Sequence, residues 1–355
     1  MRGMLLIGAA TLAGVTGAAP ARAITVPAGV RYATVARGVG TPTNIAFDPA
    51  GGMWITSGAG GPLASDGVWY VRRPGMTPVH AVSGLHTALG LTWLGGTLYV
   101  TSVRTPRFGQ VTALTGFNGR GFRTSKTILS HLPIGRHTVD TILPGPGNRL
   151  YLGIGSEFDN RTSTRKLAGT VVSFGPTGRG LRIEAAGLRN PYGLAFIGGT
   201  SRLLVTDNGR DDLGAFSPPD ELDLVPASGP APDFGFPACY DQGGAACAGK
   251  RQALVHFAAH ASSDGLAVTK DWGRQGLSAF IAENGSSFPA HPTGNDVIQV
   301  LLRAHPGGVY TASKTTFARG FAKGDPLGAA IGHDGALYVT LFNSGTVVRF
   351  QPPAG

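Results

Sequence analysis

The sequence predicts an all-β protein folded as a six-bladed β-propeller. Two short apolar strands joined by a glycine-containing turn recur six times in the 355 residues, and no sustained stretch has the 3.6-residue apolar period of a helix. Equivalent points of these hairpins lie roughly 45 to 75 residues apart, the length of a four-stranded blade with its loops. These landmark residues are Asn44, Gly90, Asp140, Gly193, Gly265 and Gly328.

The clearest hairpin lies within residues 187–225. Apolar runs at 192–196 and 203–206 are joined by a glycine pair, a pattern typical of a two-stranded turn. Because a hairpin returns to the side from which it started, the polar residues before the first strand and after the second share one face. Arg189 and Asn190 are therefore expected beside the segment 207–210.

The other five hairpins repeat the order of polar turn, apolar strand, glycine turn and return strand. They begin at Thr41, Ala88, His137, Ser262 and Pro326. Further strands are predicted at 67–73, 169–174, 296–302 and 346–350. We expect the last of these to pair with residues 30–36, since closing the ring removes an exposed sheet edge.

Loops before the innermost strands and after the second strands of a propeller open on the same face of the disc. The loops before the innermost strands bring Thr41, Thr87, His137, Arg189, Asn190, Ser262, Ser263 and Asp325. Those after the second strands bring Ser57, 102–104, Ser156, Glu157, 207–210, Glu283, Asn284 and Asn343. Most are polar, which predicts a ligand pocket at this mouth.

Residues 1–23 have the features of a secretory signal. Arg2 precedes an apolar, alanine-rich stretch, and Ala21-Arg22-Ala23 forms a small-x-small cleavage site. We expect residues 24–355 to form the mature propeller, secreted or held in the periplasm or cell envelope. A retained N-terminal anchor is the alternative, and no other segment has the length of a membrane span.

The cysteines and the charge add two further expectations. Cys239 and Cys247 are eight positions apart in a loop-like segment, which favours a local disulfide in an exported protein over free thiols. The net charge of +10 forms no basic cluster with interleaved aromatic residues, so nucleic acid is not expected as a partner. An anionic ligand or the cell-envelope surface would suit this charge.

Two residues of the mouth could carry chemistry. His137 could act as a general base near neutral pH, or it could hydrogen-bond within its loop. Arg189 offers a fork of donors suited to a carboxylate or a developing oxyanion, or it could pair with Asp207 or Glu221 and hold loops together.

Several acidic residues lie at the end of the fourth hairpin and just after it. Together with the backbone carbonyls near Gly209 and Arg210, they could bind a hard cation such as Ca²⁺. Their spacing does not match an EF-hand, and a solvated acidic loop is the alternative. These residues are Asp207, Asp211, Asp212, Asp220, Glu221 and Asp223. The sequence contains no Gly-x-Ser-x-Gly elbow and no P-loop, which excludes the commonest hydrolase and nucleotide-binding signatures.

Four segments carry family-specific wording. The most specific reads GLRNPYGLAF, VTDNGRDDLG, PPDELDLV and DFGFP. The others are LPIGRHTVDTILPGPGNRLYLGIGS, AFIAENGS and FARGFAKGDPLGAAIGHDGALYVT. Over roughly residues 40–350, the chain thus resembles the glucose/sorbosone dehydrogenase family, exported propellers that depend on pyrroloquinoline quinone (PQQ).

The resemblance implies an activity and a set of site residues. His137 would take the proton from the anomeric hydroxyl of a sugar while hydride moves to the quinone and electrons pass to an external acceptor. Arg189 would bind and polarise the quinone. The implied cofactor-binding residues are Arg189, Asn190, Asn208, Gly209 and Arg210, of which Gly209 and Arg210 would offer backbone carbonyls to Ca²⁺.

The sequence departs from the glucose-oxidising members where these bind the cofactor carboxylates. Leu85, Asp325 and Leu327 stand where those members have a glutamine and two arginines, Arg136 replaces an acidic residue, and 284–285 lacks a lysine. Either Arg136, Arg104 or Arg210 holds the cofactor differently, or the cofactor has been lost. Alternatives to the dehydrogenase are thus a non-catalytic propeller that binds carbohydrate or protein, and a Ca²⁺-dependent lactonase-type propeller using Asp140, Asp207 and Glu283.

Overall fold

The computed structural model describes residues 23–58, 63–240, 243–286, 288 and 291–353. In this part of the chain, six antiparallel four-stranded sheets make up the fold, which confirms the six-bladed β-propeller. The signal segment expected at 1–23 lies outside the described residues, apart from Ala23.

Each of the first five blades is made of four consecutive strands. Blade 1 contains β2 (Pro42–Phe47), β3 (Met53–Ser57), β4 (Gly67–Val71) and β5 (Val79–Ser83). Blade 2 contains β6 (Leu91–Leu94), β7 (Thr97–Thr105), β8 (Phe108–Phe117) and β9 (Phe122–Pro133). Blade 3 contains β10 (Val139–Gly145), β11 (Arg149–Ile154), β12 (Thr170–Phe174) and β13 (Arg182–Ala186). Blade 4 contains β14 (Pro191–Phe196), β15 (Leu203–Asp207), β16 (Pro219–Val225) and β17 (Val255–Ala259). Blade 5 contains β18 (Ser263–Thr269), β19 (Ser278–Glu283), β20 (Asp296–Ala304) and β21 (Tyr310–Arg319).

The sixth blade joins the two ends of the chain. It contains β22 (Pro326–Ile331), β23 (Leu337–Leu341), β24 (Thr346–Gln351) and β1 (Arg31–Arg37). Strand β1 pairs antiparallel with β24, from Arg31 opposite Gln351 to Arg37 opposite Thr346. The predicted closure of the ring is therefore confirmed, and it protects two strand edges that would otherwise be exposed.

The innermost strands of blades 3 to 6 share an irregularity. Their register against the second strand shifts at one place in each blade, for example between Pro191 and Leu194 and between Ser263 and Leu266. At these shifts some residues have no cross-strand partner in the register. They include Asp140, Tyr192 and Asp264, all of them buried. Because such a bulge re-aims side chains, it changes which residues face the central channel.

Glycines in these bulges allow neighbouring blades to approach closely. A Cβ on Gly193 would collide with the carbonyl oxygen of Asp264, and one on Gly265 with the backbone around Gly328. A Cβ on Gly90 would meet Thr141 Cα at 2.9 Å. Thr141, and not the predicted landmark Asp140, thus holds the glycine-equivalent position of blade 3.

A long connection between β16 and β17 packs against the end of blade 3, at β13 and the residue that follows it. The backbone N–H of Phe234 donates to Ala186 O (2.9 Å), and that of Phe236 donates to Gly187 O (2.8 Å). Cys239 and Cys247 in this connection form a disulfide with a Cα–Cα distance of 4.9 Å, which confirms the sequence prediction.

Helical structure in the described residues is limited to two short 3₁₀ turns, Ala245–Cys247 and Pro306–Gly308. The described residues accordingly include no helix with the length and apolar character needed to cross a bilayer.

Candidate functional site

A polar cavity of about 340 Å³ opens at the predicted mouth, on the side of blades 3 to 5. It brings together five residues that the sequence singled out: His137, Arg189, Asn190, Asn208 and Gly209. The other lining residues are Tyr192, Asp211, Asp220, His260, Ser262, Asp264 and Gly285.

The backbone of His137 is held by hydrogen bonds on both sides of the residue. The N–H of His137 donates to Ser156 O (3.2 Å), and its carbonyl accepts from Gly135 N–H (2.9 Å). The ring atom Nε2 is buried and has no hydrogen-bond partner among the residues that the structure describes. Burial, reinforced by the positive charges of Arg189 and Arg136, lowers the pKa of His137 well below its ordinary value of 6.5. The imidazole is therefore neutral at physiological pH.

The Arg189 guanidinium is almost completely buried, with 4% of the side chain exposed, and carboxylates surround it. Its Nη2 lies 2.5 Å from Asp159 Oδ1 and 3.1 Å from Asp211 Oδ2. Its Nη1 donates to Asn208 O (3.1 Å), and its Nε donates to Asp159 O (3.2 Å). The sequence-based alternative of an ion pair with Asp207 or Glu221 was wrong, because Asp159 reaches Arg189 from the loop after β11.

Asp207 and Asp220 bind backbone groups of the mouth. Asp207 accepts the N–H groups of Arg189 (3.0 and 3.1 Å) and Asn190 (2.5 Å). Asp220 accepts those of Gly209 (2.9 Å) and Ser263 (3.1 Å). Burial raises the pKa of Asp207 to about 7 and that of Asp220 to about 6, against the opposing effect of these hydrogen bonds.

The two asparagines form a chain across the wall of the cavity. Asn190 Nδ2 donates to Asn208 Oδ1 (2.7 Å), and Asn208 Nδ2 donates to Ser263 O (3.1 Å). Blades 4 and 5 are thereby connected directly below the mouth. The amide groups have well-defined orientations because each has a fixed partner.

The side chain of Arg210 turns away from the cavity. Its Nε and Nη2 pair with Asp212 (2.6 and 2.7 Å), and its Nη1 donates to Pro237 O (2.9 Å). It lines a smaller neighbouring cavity beside Tyr240. A role for this guanidinium in the main pocket is therefore not supported, while the proposed role of the Arg210 carbonyl remains a prediction.

The acidic group of the fourth hairpin does not converge on one point. Asp211 lies 2.8 Å from Arg136 Nη2, and Asp212 is held by Arg210. Among the described residues, no set of three or more His, Cys, Asp or Glu side chains is arranged to hold a metal ion. The predicted Ca²⁺ site built on carboxylates is therefore not found, and the carbonyl groups of Gly209 and Arg210 remain its candidate ligands.

Sequence reasoning missed three residues of the cavity. Tyr192 and Asp264 belong to the bulged inner strands, and burial raises the pKa of both groups well above its ordinary value. Tyr192 Oη and the neighbouring Asp140 Oδ2 are buried without a hydrogen-bond partner in the described part of the chain. His260 could have been found, because it stands just before the fifth innermost strand, as His137 stands before the third.

One ring nitrogen of His260 is hydrogen-bonded, and the other has no hydrogen-bond partner among the described residues. Its Nε2 donates to Gly214 O (2.8 Å), and its Nδ1 lies 3.6 Å from Asp211 Oδ1. The ring centroid is 4.2 Å from that of Phe288.

The positions where the resembling family has its other cofactor-binding side chains are buried and offer no cation. Leu85 and Leu327 lie in the apolar interior. Asp325 accepts hydrogen bonds from the backbone N–H (2.7 Å) and hydroxyl (2.5 Å) of Ser344. Arg136 is half-exposed at the mouth.

Several solved structures resemble the fold over nearly its whole length. A calcium structure of a Trichoderma reesei carbohydrate-active enzyme of family AA12 aligns with a TM-score of 0.77 and 17% identity, covering 96% of this chain and 99% of that one. The PQQ domain of Coprinopsis cinerea pyranose dehydrogenase, in its holo form, gives a TM-score of 0.74 and 16% identity, covering 94% and 98%. PQQ-bound aldose sugar dehydrogenase from Streptomyces coelicolor gives a TM-score of 0.68 and 19% identity, covering 92% and 99%. At these identities the likeness establishes the propeller fold.

Sequence comparisons reach less far. No protein-family model matches the chain. An uncharacterized protein of Borreliella burgdorferi is 32% identical over 90 residues, which span 25% of this chain and 23% of the relative.

Proposed function

We propose that this protein is an exported PQQ- and Ca²⁺-dependent dehydrogenase that oxidises an aldose or a sugar-like aldehyde, with His137 as the general base. The observation that carries the proposal is that His137 lies in the same cavity as Arg189 and that its Nε2 has no hydrogen-bond partner among the described residues. A general base needs an unprotonated nitrogen, which a neutral imidazole has, and no neighbouring group competes for Nε2 in the described part of the chain. The PQQ-bound structures among the neighbours in fold support the choice of cofactor.

The residues present fit the quinone end of such a cofactor. Arg189, Asn190 and Asn208 line the cavity and would direct their remaining N–H groups at quinone oxygens. Arg210 and Gly209 would hold Ca²⁺ by their carbonyls. Asp159 and Asp211 already pair with the Arg189 guanidinium, so an anionic group of the ligand would have to replace one of them. When bound, the cofactor would supply a hydride acceptor.

The chain's own groups then divide the chemistry. His137 Nε2 would take the proton of the sugar hydroxyl as the hydride leaves the adjacent carbon. Arg189 would stabilise negative charge that develops on an oxygen in the cavity, since its guanidinium is held in place before reaction. The asparagine chain would orient the ligand. An external acceptor would receive the electrons afterwards.

A second candidate is a propeller that binds carbohydrate or protein without a cofactor. It is favoured by one observation: the cations nearest the pocket, Arg136 and Arg189, are already paired with carboxylates. A lactonase-type site has no such support. Of the three carboxylates expected for such a site, Asp207 binds backbone N–H groups and Glu283 accepts the Ser263 hydroxyl (3.1 Å). Only Asp140 keeps an oxygen, Oδ2, without a partner among the described residues, and a single carboxylate does not make a Ca²⁺ site.

A dye-linked assay separates these functions. The purified protein is incubated with PQQ and Ca²⁺, the quinone absorbance is followed, and a panel of aldoses is then added with an artificial acceptor. We expect a spectral change on binding and sugar-dependent dye reduction. Sugar binding without either signal would establish the cofactor-free alternative instead.

A further inference from the structure

A large aromatic side chain is left in solvent at the edge of the mouth. Phe216 is 77% exposed, more than any other large hydrophobic residue in the described part of the chain. Leu213, three positions earlier on the same loop, is 38% exposed. Because this loop also supplies Asn208, Gly209 and Asp211 to the cavity wall, the exposed ring belongs to the functional face.

Aromatic contacts connect Phe216 with the cavity. Its ring centroid lies 4.3 Å from that of His291, and Phe288 lies equally close, at 4.2 Å, to the cavity residue His260. The hydrogen bond from His260 Nε2 to Gly214 O fixes the Phe216 loop to the cavity wall. The two ring pairs are joined by the hydrogen bond from the His291 N–H to Phe288 O (3.2 Å), so aromatic side chains lie between the cavity and the exposed Phe216.

A carboxylate lies at the inner end of these aromatic contacts. Asp211 lines the cavity, and its Oδ1 is 3.6 Å from His260 Nδ1. A pyranose ring has an apolar face of C–H groups and a rim of hydroxyls, so an aromatic face with acceptors beside it is complementary to a sugar. Protein partners usually take a larger continuous apolar patch than one ring and one leucine.

We propose that Phe216 forms an outer subsite that stacks against the second sugar ring of an oligosaccharide whose terminal ring enters the cavity. The substrate class is then a disaccharide or longer saccharide. This inference rests on the proposed function only in requiring that the cavity bind a sugar, and it does not depend on the cofactor.

Calorimetry on the cofactor-free protein tests the subsite without turnover. Glucose, cellobiose, cellotetraose, maltose and maltotetraose serve as ligands for the wild type and for Phe216→Ala. We expect at least one series to bind about tenfold more tightly when a second ring is added. Phe216→Ala should remove that gain and leave the glucose affinity unchanged.

Tyr32→Ala is the matched control, since Tyr32 is an exposed aromatic residue (40%) on β1 of the closing blade. It should leave every affinity unchanged. The proposal is overturned if the second ring adds nothing, if Phe216→Ala binds oligosaccharides like the wild type, or if no saccharide binds. It is also overturned if the variant impairs only the transfer of electrons to a protein acceptor. Glucose oxidation by Phe216→Ala in the dye-linked assay would show that the proposed function survives such a failure.

Discussion

His137 and His260 reach the same cavity from the loops before the third and fifth innermost strands, but their surroundings differ. Positive charges of Arg189 and Arg136 act on His137, and its Nε2 has no described partner. His260 Nε2 donates to Gly214 O, its Nδ1 lies 3.6 Å from Asp211 Oδ1, and its ring is tilted by 30° against that of Phe288. Each ring thus keeps one nitrogen without a hydrogen-bond partner among the described residues, but only the His260 ring is tied to a neighbouring loop through its other nitrogen.

The largest expected effect comes from replacing each of the two histidines by asparagine in a separate variant. His137→Asn should lower kcat by about 10²–10⁴ with little change in KM, because it removes the proton acceptor. His260→Asn should change kcat by less than about tenfold, because the His260 ring holds the loop at Gly214 and is not the proposed proton acceptor. Steady-state kinetics in the dye-linked assay measure both. Equal losses in the two variants would remove the distinction between the histidines.

A second prediction concerns the carboxylate on Arg189. Asp159→Asn keeps the size of the side chain but removes the charge 2.5 Å from Nη2, so an anionic ligand would compete less for the guanidinium. We expect the affinity for PQQ, measured by fluorescence titration, to rise about tenfold, or about 1.4 kcal/mol. Asp212→Asn is the control, because Asp212 pairs with Arg210 outside the cavity. An unchanged or weakened affinity in Asp159→Asn would mean that Asp159 does not occupy the ligand's place.

A smaller effect should appear in the pH dependence of stability. The pKa of Asp207 is about 7 in the folded protein and near 4 when unfolded, so the folded state binds the extra proton. This contribution to the free energy of unfolding is complete below about pH 4 and is lost as the pH rises through about 7. We expect Tm to fall by a few degrees between pH 5 and pH 8, and Asp207→Asn to flatten that slope. A Tm that rises over this interval in the wild type would contradict the assignment.

The fold was predictable because it repeats. Alternating apolar residues and glycine turns specify each hairpin locally, and the spare strand at 346–350 pointed to ring closure with β1. The same topology predicted which residues meet in the cavity, because each loop of a propeller opens on a defined face of the disc. These residues are His137, Arg189, Asn190, Asn208 and Gly209.

Other parts of the site depend on contacts that local patterns do not reveal. Asp159 lies 30 residues before Arg189 in the chain, in an irregular loop, so no periodic pattern in the sequence predicts their ion pair. Tyr192 and Asp264 face the cavity because bulges shift the register of the innermost strands, and a shift by one residue reverses the side on which a strand residue lies. By contrast, the sequence alone shows that Leu85 and Leu327 replace polar side chains of the resembling family. Both leucines are buried in the structure.

His137 is held here to be a neutral imidazole because it is buried beside Arg189 and Arg136, with an Nε2 that has no partner among the described residues. NMR titration of the protein with ¹⁵N-labelled histidine tests this neutral state directly and needs no cofactor, with His137→Asn identifying the signal. The account predicts that the His137 resonance titrates below pH 6.5, the direction given by burial, Arg189 and Arg136. A His137 signal that titrates at or above pH 6.5 would contradict it.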